Sequence, residues 1–312
     1  MKADAIFEGG GVRGISFVGA ICCLEEKGYE LQRLAGTSSG AIMAALLAVG
    51  YTGKELSAII ETDFSKFLDP DVLQSIPLLG MPLGLLVEKG LYQGDYMEEW
   101  MQGLFKAKGK TKFKDIMSEG KSRLKIIASD ITNKKIMILP DDLPEYGIDP
   151  MEFEIAKAVR MSAGIPLLFN PVIIEYRNCN YYIVDGGVLS NFPVWIFDVE
   201  GTPGWPTFGF KLVDSSASNC SRGRADLHSY VFDLFEAMVG EDQSRYLREK
   251  DSVRTISIPT LGIHSTDFNL SPLDSFKLYQ SGYESCKRFL RHWDFQNYTR
   301  EYRSKHYGKI YI

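Results

Sequence analysis

Two glycine-rich turns, each between a strand pattern and a helix pattern, lie within the first 50 residues and constrain the fold most strongly. The first turn, GGGVRG at 9–14, follows an apolar segment at 3–7 and precedes a helical pattern at 15–27. The second turn, GTSSG at 36–40, follows an apolar segment at 31–35 and precedes AIMAALLAVG, which is rich in strong helix formers. Two successive strand–turn–helix units predict parallel strands joined by helical crossovers.

The alternation of strands and helices continues along the chain. Further strand patterns occur at 124–129, 135–139, 180–185, 207–213 and 253–258, and helical patterns at 96–106, 153–163 and 271–293. This order predicts an α/β fold in three layers, with a mostly parallel central sheet and helices on both faces. Since no repeat or low-complexity linker divides the 312 residues, we expect one domain, with a core at 1–200 and the strands and helices of 201–312 packed on it.

Composition excludes several classes of protein. The net charge of -5 argues against a general nucleic-acid binder, which would present a basic face. The 5 cysteines form no C-x-x-C pair and no calcium-loop pattern is present, so we expect no metal site, no disulfide framework and a cytoplasmic protein. Asp4 and Glu8 stand where a signal peptide needs an apolar segment, and no apolar run reaches the roughly 18 residues of a membrane span.

Ser38 is at the centre of GTSSG, which fits the G-x-S-x-G pattern of a hydrolase nucleophile. A serine on a sharp strand-to-helix turn presents its hydroxyl at the carboxyl edge of the sheet and at the positive end of the next helix. Gly36 and Gly40 suit such a turn, because a Cβ at either position would collide with the strand or the helix. The pattern is common in ordinary turns, but here the strand and helix that the motif requires flank it.

The GGGVRG turn permits two interpretations. Gly9, Gly11 and Gly14 satisfy the G-x-G-x-x-G fingerprint of dinucleotide-binding domains, which would make the protein an oxidoreductase. Alternatively, the backbone amides of Gly9, Gly10 and Gly11 form an oxyanion hole. Dinucleotide binding also needs an acidic residue at the end of the second strand, where this chain has Ser38. We therefore favour the oxyanion hole and keep dinucleotide binding as the alternative.

A serine nucleophile needs a base, and the histidines are poor candidates. They lie in polar or surface-like segments, and none follows a strand: His228, His264, His292 and His306. Asp185 ends the strand NYYIVD, and Gly186 and Gly187 let the chain turn away sharply. In a parallel sheet Asp185 would lie at the same carboxyl edge as Ser38 and could reach its hydroxyl. Asp130, which also follows a strand, is a rival for which a turn-capping role is the better explanation.

GGGVRG, GTSSG and DGG, in this order and context, resemble the motifs of the patatin-like phospholipases, which are serine acyl hydrolases with a Ser–Asp dyad on an α/β fold. Further segments also resemble the family, so that the similarity extends over 1–200: SDIT at 129–132, AVRMSAGIPLLFNPV at 158–172 and VDGGVLSNFPV at 184–194. One departure is Glu8, where the family often has Asp.

The resemblance implies a lipid acyl hydrolase of the phospholipase A or lysophospholipase type, acting without a cofactor. Ser38 would be the nucleophile and Asp185 the general base, the amides of 9–11 would form the oxyanion hole, and Arg13 would order that turn or meet an anionic head group. An aspartate with an ordinary pKa of about 3.9 is a weak base, so we expect burial to raise the pKa of Asp185. A catalytically silent lipid-binding or storage protein is a further alternative.

Two segments suggest contact with a membrane surface. IPLLGMPLGLLVEKGLY at 76–92 is apolar but interrupted by prolines and glycines, which suits a lid, a lipid-facing loop or a buried connection. FKAKGKTKFKDIMSEGKSRLK at 105–125 is strongly basic. Together they are typical of a protein that touches anionic phospholipid, although a solvated face is the commoner origin of a charge run. We expect a phospholipid or another acyl-ester lipid as the substrate.

Overall fold

A computed structural model describes residues 1–60, 66–67, 89–118, 120–214, 234, 237 and 247–303. The segment expected to be a lid or lipid-facing loop lies outside these residues except for 89–92, where a short strand begins at Gly90. His228 and His306 also lie outside them. Among the described residues, no helix has both the length and the apolar character needed to cross a bilayer.

Every strand and helix predicted from the sequence is present to within a few residues, and several further, mostly short elements were not predicted. The strands are β1 (Lys2–Phe7), β2 (Glu30–Thr37), β3 (Gly90–Tyr92), β4 (Met117–Ser118), β5 (Lys121–Ser122), β6 (Leu124–Asp130), β7 (Lys135–Leu139), β8 (Leu167–Phe169), β9 (Val172–Tyr176), β10 (Cys179–Asp185), β11 (Thr207–Val213) and β12 (Thr255–Pro259). The helices are α1 (Ile15–Glu26), α2 (Ser39–Val49), α3 (Gly53–Ile59), α4 (Asp95–Ala107), α5 (Ile155–Ser162), α6 (Glu249–Ser252), α7 (Pro272–Leu290) and α8 (Phe295–Tyr298).

One eight-stranded sheet organises the molecule. Its order is β12–β11–β1–β2–β6–β10–β9, and β7 pairs with β6. The strands from β12 to β6 are parallel to one another, whereas β7, β10 and β9 are joined by antiparallel pairings. The prediction of an α/β fold with a mostly parallel central sheet and helices on both faces is confirmed.

The core forms because the segments on either side of the first glycine turn are mostly apolar. Every residue of β1 after Lys2 is buried. The ring of Phe7 stacks on Phe210 of β11 with centroids 4.8 Å apart, and Phe17 of α1 lies 5.4 Å from Phe7. These rings fix α1 against β1 and β11, and the turn between β1 and α1 is therefore held on both sides.

The expectation that the strand before Asp185 is parallel to the strand before Ser38 is wrong, because β10 runs antiparallel to β6. β2 pairs with the first part of β6 and ends with Thr37 opposite Ile127. β10 pairs with the last part of β6 and ends with Asp185 opposite Ala128. The two strands thus approach along β6 from opposite directions, and their carboxyl ends meet. Asp185 lies close to the turn at Ser38 because the carboxyl ends of β10 and β2 meet on β6, and not because the two strands run parallel to the same edge of the sheet.

Candidate active site

Ser38 occupies a strained position between β2 and α2. Its φ is 55°, in a region that few residues other than glycine adopt, and its side chain and backbone together are 7% exposed. Gly40 makes the turn possible, since an added Cβ would lie 2.4 Å from the carbonyl oxygen of Phe7. Gly36 packs against Gly40 in the same way. The structure therefore holds Ser38 at the N-terminus of α2, where backbone amides favour negative charge.

Ser162 holds the backbone of this turn. The N–H of Ser38 donates to Ser162 Oγ over 2.9 Å, and that hydroxyl donates to the carbonyl oxygen of Ile127 over 2.5 Å. Ser162 is fully buried at the end of α5. It lies in AVRMSAGIPLLFNPV, a segment that resembled the family, although the sequence alone did not identify it as part of the site.

Asp185 is fully buried beside this turn. Its Oδ1 accepts a 2.7 Å hydrogen bond from the N–H of Gly187, and its backbone N–H donates to the carbonyl of Gly164 over 2.8 Å. Its Oδ2 has no hydrogen-bond partner within the described part of the chain. One oxygen of the carboxyl is therefore fixed by the glycine turn that follows β10, and the other is left to take a proton.

Burial raises the pKa of Asp185 to about 7. The amide of Gly187 and the hydroxyl of Ser38 favour the charged carboxylate and lower this pKa, but their combined effect is smaller than that of desolvation. A group whose pKa lies near neutral pH can accept a proton and give it back, which is what a general base and acid requires. The expectation from the sequence, that burial makes this aspartate a stronger base, agrees with the structure.

The first glycine turn runs alongside the nucleophile. A Cβ added at Gly9 would lie 3.1 Å from Ser38 Cβ and 2.3 Å from Asn191 Oδ1. Asn191 is buried, and its Nδ2 donates to the carbonyl of Gly9 over 3.2 Å while its own carbonyl accepts from the amide of Gly9 over 3.2 Å. Asn191 thus fixes the glycine turn to the segment that follows Asp185.

The three amides of the predicted oxyanion hole are not equivalent in the substrate-free structure. The amide of Gly9 donates to Asn191, and the amide of Gly10 donates to Ser39 Oγ over 3.0 Å. The amide of Gly11, where φ is 57°, has no acceptor within the described residues. Within the described residues, the amides of Gly9 and Gly10 are thus committed to protein acceptors and that of Gly11 is not.

The loop after β12 covers the outside of the glycine turn. The carbonyl oxygen of Ser265 accepts from the N–H of Val12 over 3.0 Å, and an added Cβ at Gly11 would lie 2.0 Å from the same oxygen. Phe268 of this loop lines the cavity described below. The C-terminal third of the sequence carries no motif that would have indicated these contacts.

Arg13 and Glu8 support the turn from its other side. Arg13 Nε donates to the carbonyl of Gly10 over 3.2 Å, and its guanidinium lies 3.6 Å from Asp214. Glu8 is buried, and its Oε1 accepts from Lys211 Nζ over 2.7 Å. Burial raises the pKa of Glu8, although Lys211 opposes this shift. Of the two roles expected for Arg13, these contacts favour the ordering of the turn.

An apolar cavity of about 110 Å³ begins at Ser38. One face of α2 forms a wall of it, through Ser39, Ile42, Met43 and Leu46. Trp100 of α4 and Phe268 are among the other lining residues, and apart from Ser38 and Ser39 the lining side chains are apolar. The cavity suits a hydrocarbon chain whose reacting end is at Ser38.

Other sequence candidates have structural roles. The carboxylate of Asp130 accepts from the amides of Thr132 and Asn133 and from the hydroxyl of Tyr146, which is the turn-capping role expected for it. His264 and His292 are exposed, and neither lines the cavity. Within the described ranges, no three His, Cys, Asp or Glu side chains come together as metal ligands.

The basic stretch is partly neutralised by ion pairs. Lys108 Nζ lies 2.7 Å from Glu55, and Lys112 and Lys114 lie 2.8 and 2.7 Å from Glu152. All of these side chains are partly or largely exposed. The contacts favour a solvated face for this part of the chain, and they leave membrane contact as a proposal.

Comparison with known proteins agrees with this geometry. A family model described as patatin-like phospholipase matches residues 5–198. An uncharacterized protein of Bacillus subtilis, YqhO, is 38% identical over 297 residues, which are 95% of this chain and 100% of that protein. A protein of Invertebrate iridescent virus 6, named probable lipid hydrolase 463L, is 34% identical over 204 residues, which are 61% of each chain.

Solved structures share the fold. VipD from Legionella pneumophila matches with a TM-score of 0.54 and 20% identity, over 93% of this chain and 66% of that one. The type III effector protein ExoU matches with a TM-score of 0.51 and 16% identity, over 96% of this chain and 54% of that one. This chain therefore spans less than two thirds of the length of the viral protein, of VipD and of ExoU.

Proposed function

Because the chain belongs to the patatin-like phospholipase family, we propose that it hydrolyses acyl esters of lipids with Ser38 as the nucleophile and Asp185 as the general base. One observation carries the proposal. A strained serine at a helix N-terminus lies at the start of an apolar cavity and beside a buried carboxyl whose pKa is about 7. The site thus combines a nucleophile, a base matched to neutral pH and room for a hydrocarbon chain.

In the first step Asp185 accepts the proton of the Ser38 hydroxyl while Oγ bonds to the ester carbonyl carbon, and the carbonyl electron pair moves onto oxygen. The protonated Asp185 then gives its proton to the alcohol as the ester C–O bond breaks. The acyl group remains on Ser38. A raised pKa helps both halves of this step, because a carboxyl with a pKa near 7 both accepts and releases a proton at neutral pH.

In the second step water attacks the acyl-enzyme, and Asp185 takes the proton from that water. Collapse of the second oxyanion breaks the bond to Ser38 Oγ, which regains its proton from Asp185, and a fatty acid leaves. The uncommitted Oδ2 of Asp185 is the atom suited to both transfers, since Oδ1 is occupied by the amide of Gly187.

The cavity supports an acyl chain as the part of the substrate that enters the protein. From Ser38 to Leu46 along α2 the helical rise amounts to about 12 Å. A zigzag hydrocarbon with bonds of about 1.5 Å advances roughly 1.3 Å per carbon, so a chain of about eight to ten carbons reaches Leu46. A single acyl chain in this cavity suits a phospholipase A or a lysophospholipase, with the head group of the substrate outside.

The test is labelling by a fluorophosphonate probe together with fatty-acid release from phospholipid vesicles. Ser38→Ala and Asp185→Asn should lose both labelling and hydrolysis while keeping the melting temperature of a folded protein. Ser57→Ala is a suitable control, because this serine of α3 donates to the carbonyl of Gly53 within its own helix and does not line the cavity. Full hydrolysis by a folded Asp185→Asn variant would remove the proposed base. A wild-type protein that neither labels nor hydrolyses would favour the silent lipid-binding alternative.

A further inference from the structure

We propose that Ser39 is a further catalytic residue, whose hydroxyl donates a hydrogen bond to the oxyanion formed at Ser38. The inference rests on the proposed acyl hydrolysis and adds a donor to it. It starts from the observation that the glycine turn of the free protein has fewer available amides than an oxyanion hole made of three glycines would need. The amides of Gly9 and Gly10 are already committed to protein acceptors, and that leaves Gly11.

The hydroxyl of Ser39 is committed only as an acceptor. Its Oγ receives the 3.0 Å hydrogen bond from the amide of Gly10. A serine hydroxyl has one proton to donate in addition to its acceptor lone pairs. No acceptor for that proton is found within the residues that the structure describes, and the orientation of the hydroxyl is therefore free to follow a ligand.

The position of Ser39 places this free proton in the site. Ser39 follows the nucleophile directly, is the first residue of α2, and lines the cavity together with Ser38 and Gly11. Its Oγ faces the glycine turn, since an added Cβ at Gly14 would lie 3.1 Å from it. The hydroxyl thus lies on the side of Ser38 where the one uncommitted glycine amide is found.

The surroundings favour donation to a developing negative charge. Ser39 is partly buried, and its O–H has no protein acceptor within the described residues, so an anionic oxygen that enters the cavity is the acceptor to which it would bind most strongly. The hydrogen bond from the Gly10 amide also polarises the hydroxyl and strengthens it as a donor. A contact that is made in the transition state and absent in the free enzyme lowers the barrier directly. In this arrangement Gly10 acts on the oxyanion through Ser39, and Gly11 acts on it directly.

A competing role for Ser39 predicts the opposite result. If its hydroxyl merely blocks the amide of Gly10, its removal frees that amide for the oxyanion, and hydrolysis becomes equal or faster. If the hydroxyl is itself the donor, its removal leaves the oxyanion one donor short, and hydrolysis becomes slower. The sign of the change in kcat therefore separates the two roles.

The experiment compares Ser39→Ala with wild type in hydrolysis of a water-soluble acyl ester and in the rate of fluorophosphonate labelling. We expect kcat and the labelling rate to fall about 10²–10³-fold, the usual cost of one oxyanion donor, with little change in KM. Ser57→Ala is the matched control and should leave both rates unchanged. An equal or faster rate for folded Ser39→Ala overturns the inference while leaving the proposed hydrolysis intact.

A second pair of variants keeps the test decisive if Ser39→Ala is poorly folded. Ser39→Thr retains a hydroxyl, whereas Ser39→Val has nearly the same shape without one. The inference expects the threonine variant to exceed the valine variant at least tenfold in kcat, and equal rates overturn it. Absence of hydrolysis and labelling in wild type would instead contradict the proposed function and this inference with it.

Discussion

Asp185 and Thr37 are the last residues of two strands that meet end to end along β6, where Asp185 lies opposite Ala128 and Thr37 opposite Ile127. Because Ser38 follows Thr37, this meeting sets the proposed base beside the turn that carries the proposed nucleophile. Both strands are pinned to the same central strand, so the relative position of the two groups depends on the sheet rather than on a flexible loop.

The raised pKa of Asp185 predicts a specific pH dependence of activity. The base works as a carboxylate, so kcat/KM should rise with pH through a midpoint near 7 and reach a plateau above it. A profile measured between pH 5 and 9 on a soluble ester checks this. A plateau that already begins near pH 5 would mean that Asp185 is ionised throughout and is not the group that limits the rate.

The same shift predicts a pH dependence of stability. The folded protein holds the Asp185 pKa above the value of about 3.9 that it has when unfolded, so ionisation favours the unfolded chain. Below about pH 4 the carboxyl is protonated in both states, and its pKa shift has no effect on stability. As the pH rises to about 7, the free energy of unfolding should fall by about 4 kcal/mol, and above that pH the loss should stay constant. An asparagine at 185 cannot ionise, so Asp185→Asn removes this pH-dependent loss. The melting temperature of the variant minus that of wild type should therefore be larger at pH 8 than at pH 4. An equal difference at both pH values would contradict the shift.

Leu46 should set the preferred length of the acyl chain, because it lines the cavity about 12 Å along α2 from Ser38. In wild type, kcat/KM should rise about fourfold for each added methylene and level off near eight to ten carbons, since each buried methylene contributes about 0.8 kcal/mol. Leu46→Ala should move this limit to longer chains. The measurement is a series of esters that differ only in acyl length.

The control for this prediction is Leu47→Ala on the same helix. Leu47 is buried but does not line the cavity, and both substitutions should cost about 2–5 kcal/mol of stability. A shift of the chain-length profile in both variants would point to loosening of α2 rather than to a wall of the cavity.

Ser162→Ala should lower kcat with little change in KM, because the hydroxyl positions the backbone of Ser38 without touching substrate. It should also cost about 1–3 kcal/mol of stability, since the carbonyl of Ile127 and the amide of Ser38 lose their partner. Ser122→Ala is a comparable control: this buried serine donates to the carbonyl of Leu124 and has no contact with the site. Equal kcat values for the two variants would remove Ser162 from the positioning of Ser38.

Peripheral contact with anionic membranes predicts an effect of the basic stretch. Glutamine at Lys106, Lys108, Lys110 and Lys112 should weaken binding to vesicles that contain anionic phospholipid by at most about fivefold per lysine. Binding to neutral vesicles should not change. Vesicle sedimentation at low and moderate salt measures both. Unchanged binding to the anionic vesicles would leave these lysines as a solvated face, in which Lys108 pairs with Glu55 and Lys112 with Glu152.

Local sequence patterns predicted most of the strands and helices because each pattern reflects the burial of its own segment. The two turns around Ser38 and Gly11 were predictable for the same reason, since their glycines lie next to the strands and helices that need them. The direction of β10 was not predictable, because a strand of seven residues has the same alternation whichever way it runs. Asp185 lies close to Ser38, as the sequence analysis expected, although the orientation expected for its strand was wrong.

The supporting residues lay beyond sequence analysis for another reason. Ser162, Asn191 and Ser265 act through hydrogen bonds with backbone groups that are far away in the chain. Such contacts depend on the packing of several elements and leave no spacing in the sequence. Ser162 and Asn191 lie in segments that resembled the family, whereas nothing near Ser265 distinguishes it from an ordinary loop residue.

The contact between Ser265 and the first glycine turn has a consequence for the synthesis of the protein. The strand β1 is synthesised long before β11, which is one of its neighbours in the sheet, and the turn that follows β1 is covered by a loop beyond β12. A nascent chain that ends near residue 200 would hold Ser38 and Asp185 but would lack Lys211, Asp214 and Ser265 around the turn. The proposed site would therefore be complete only after the ribosome had passed Ser265.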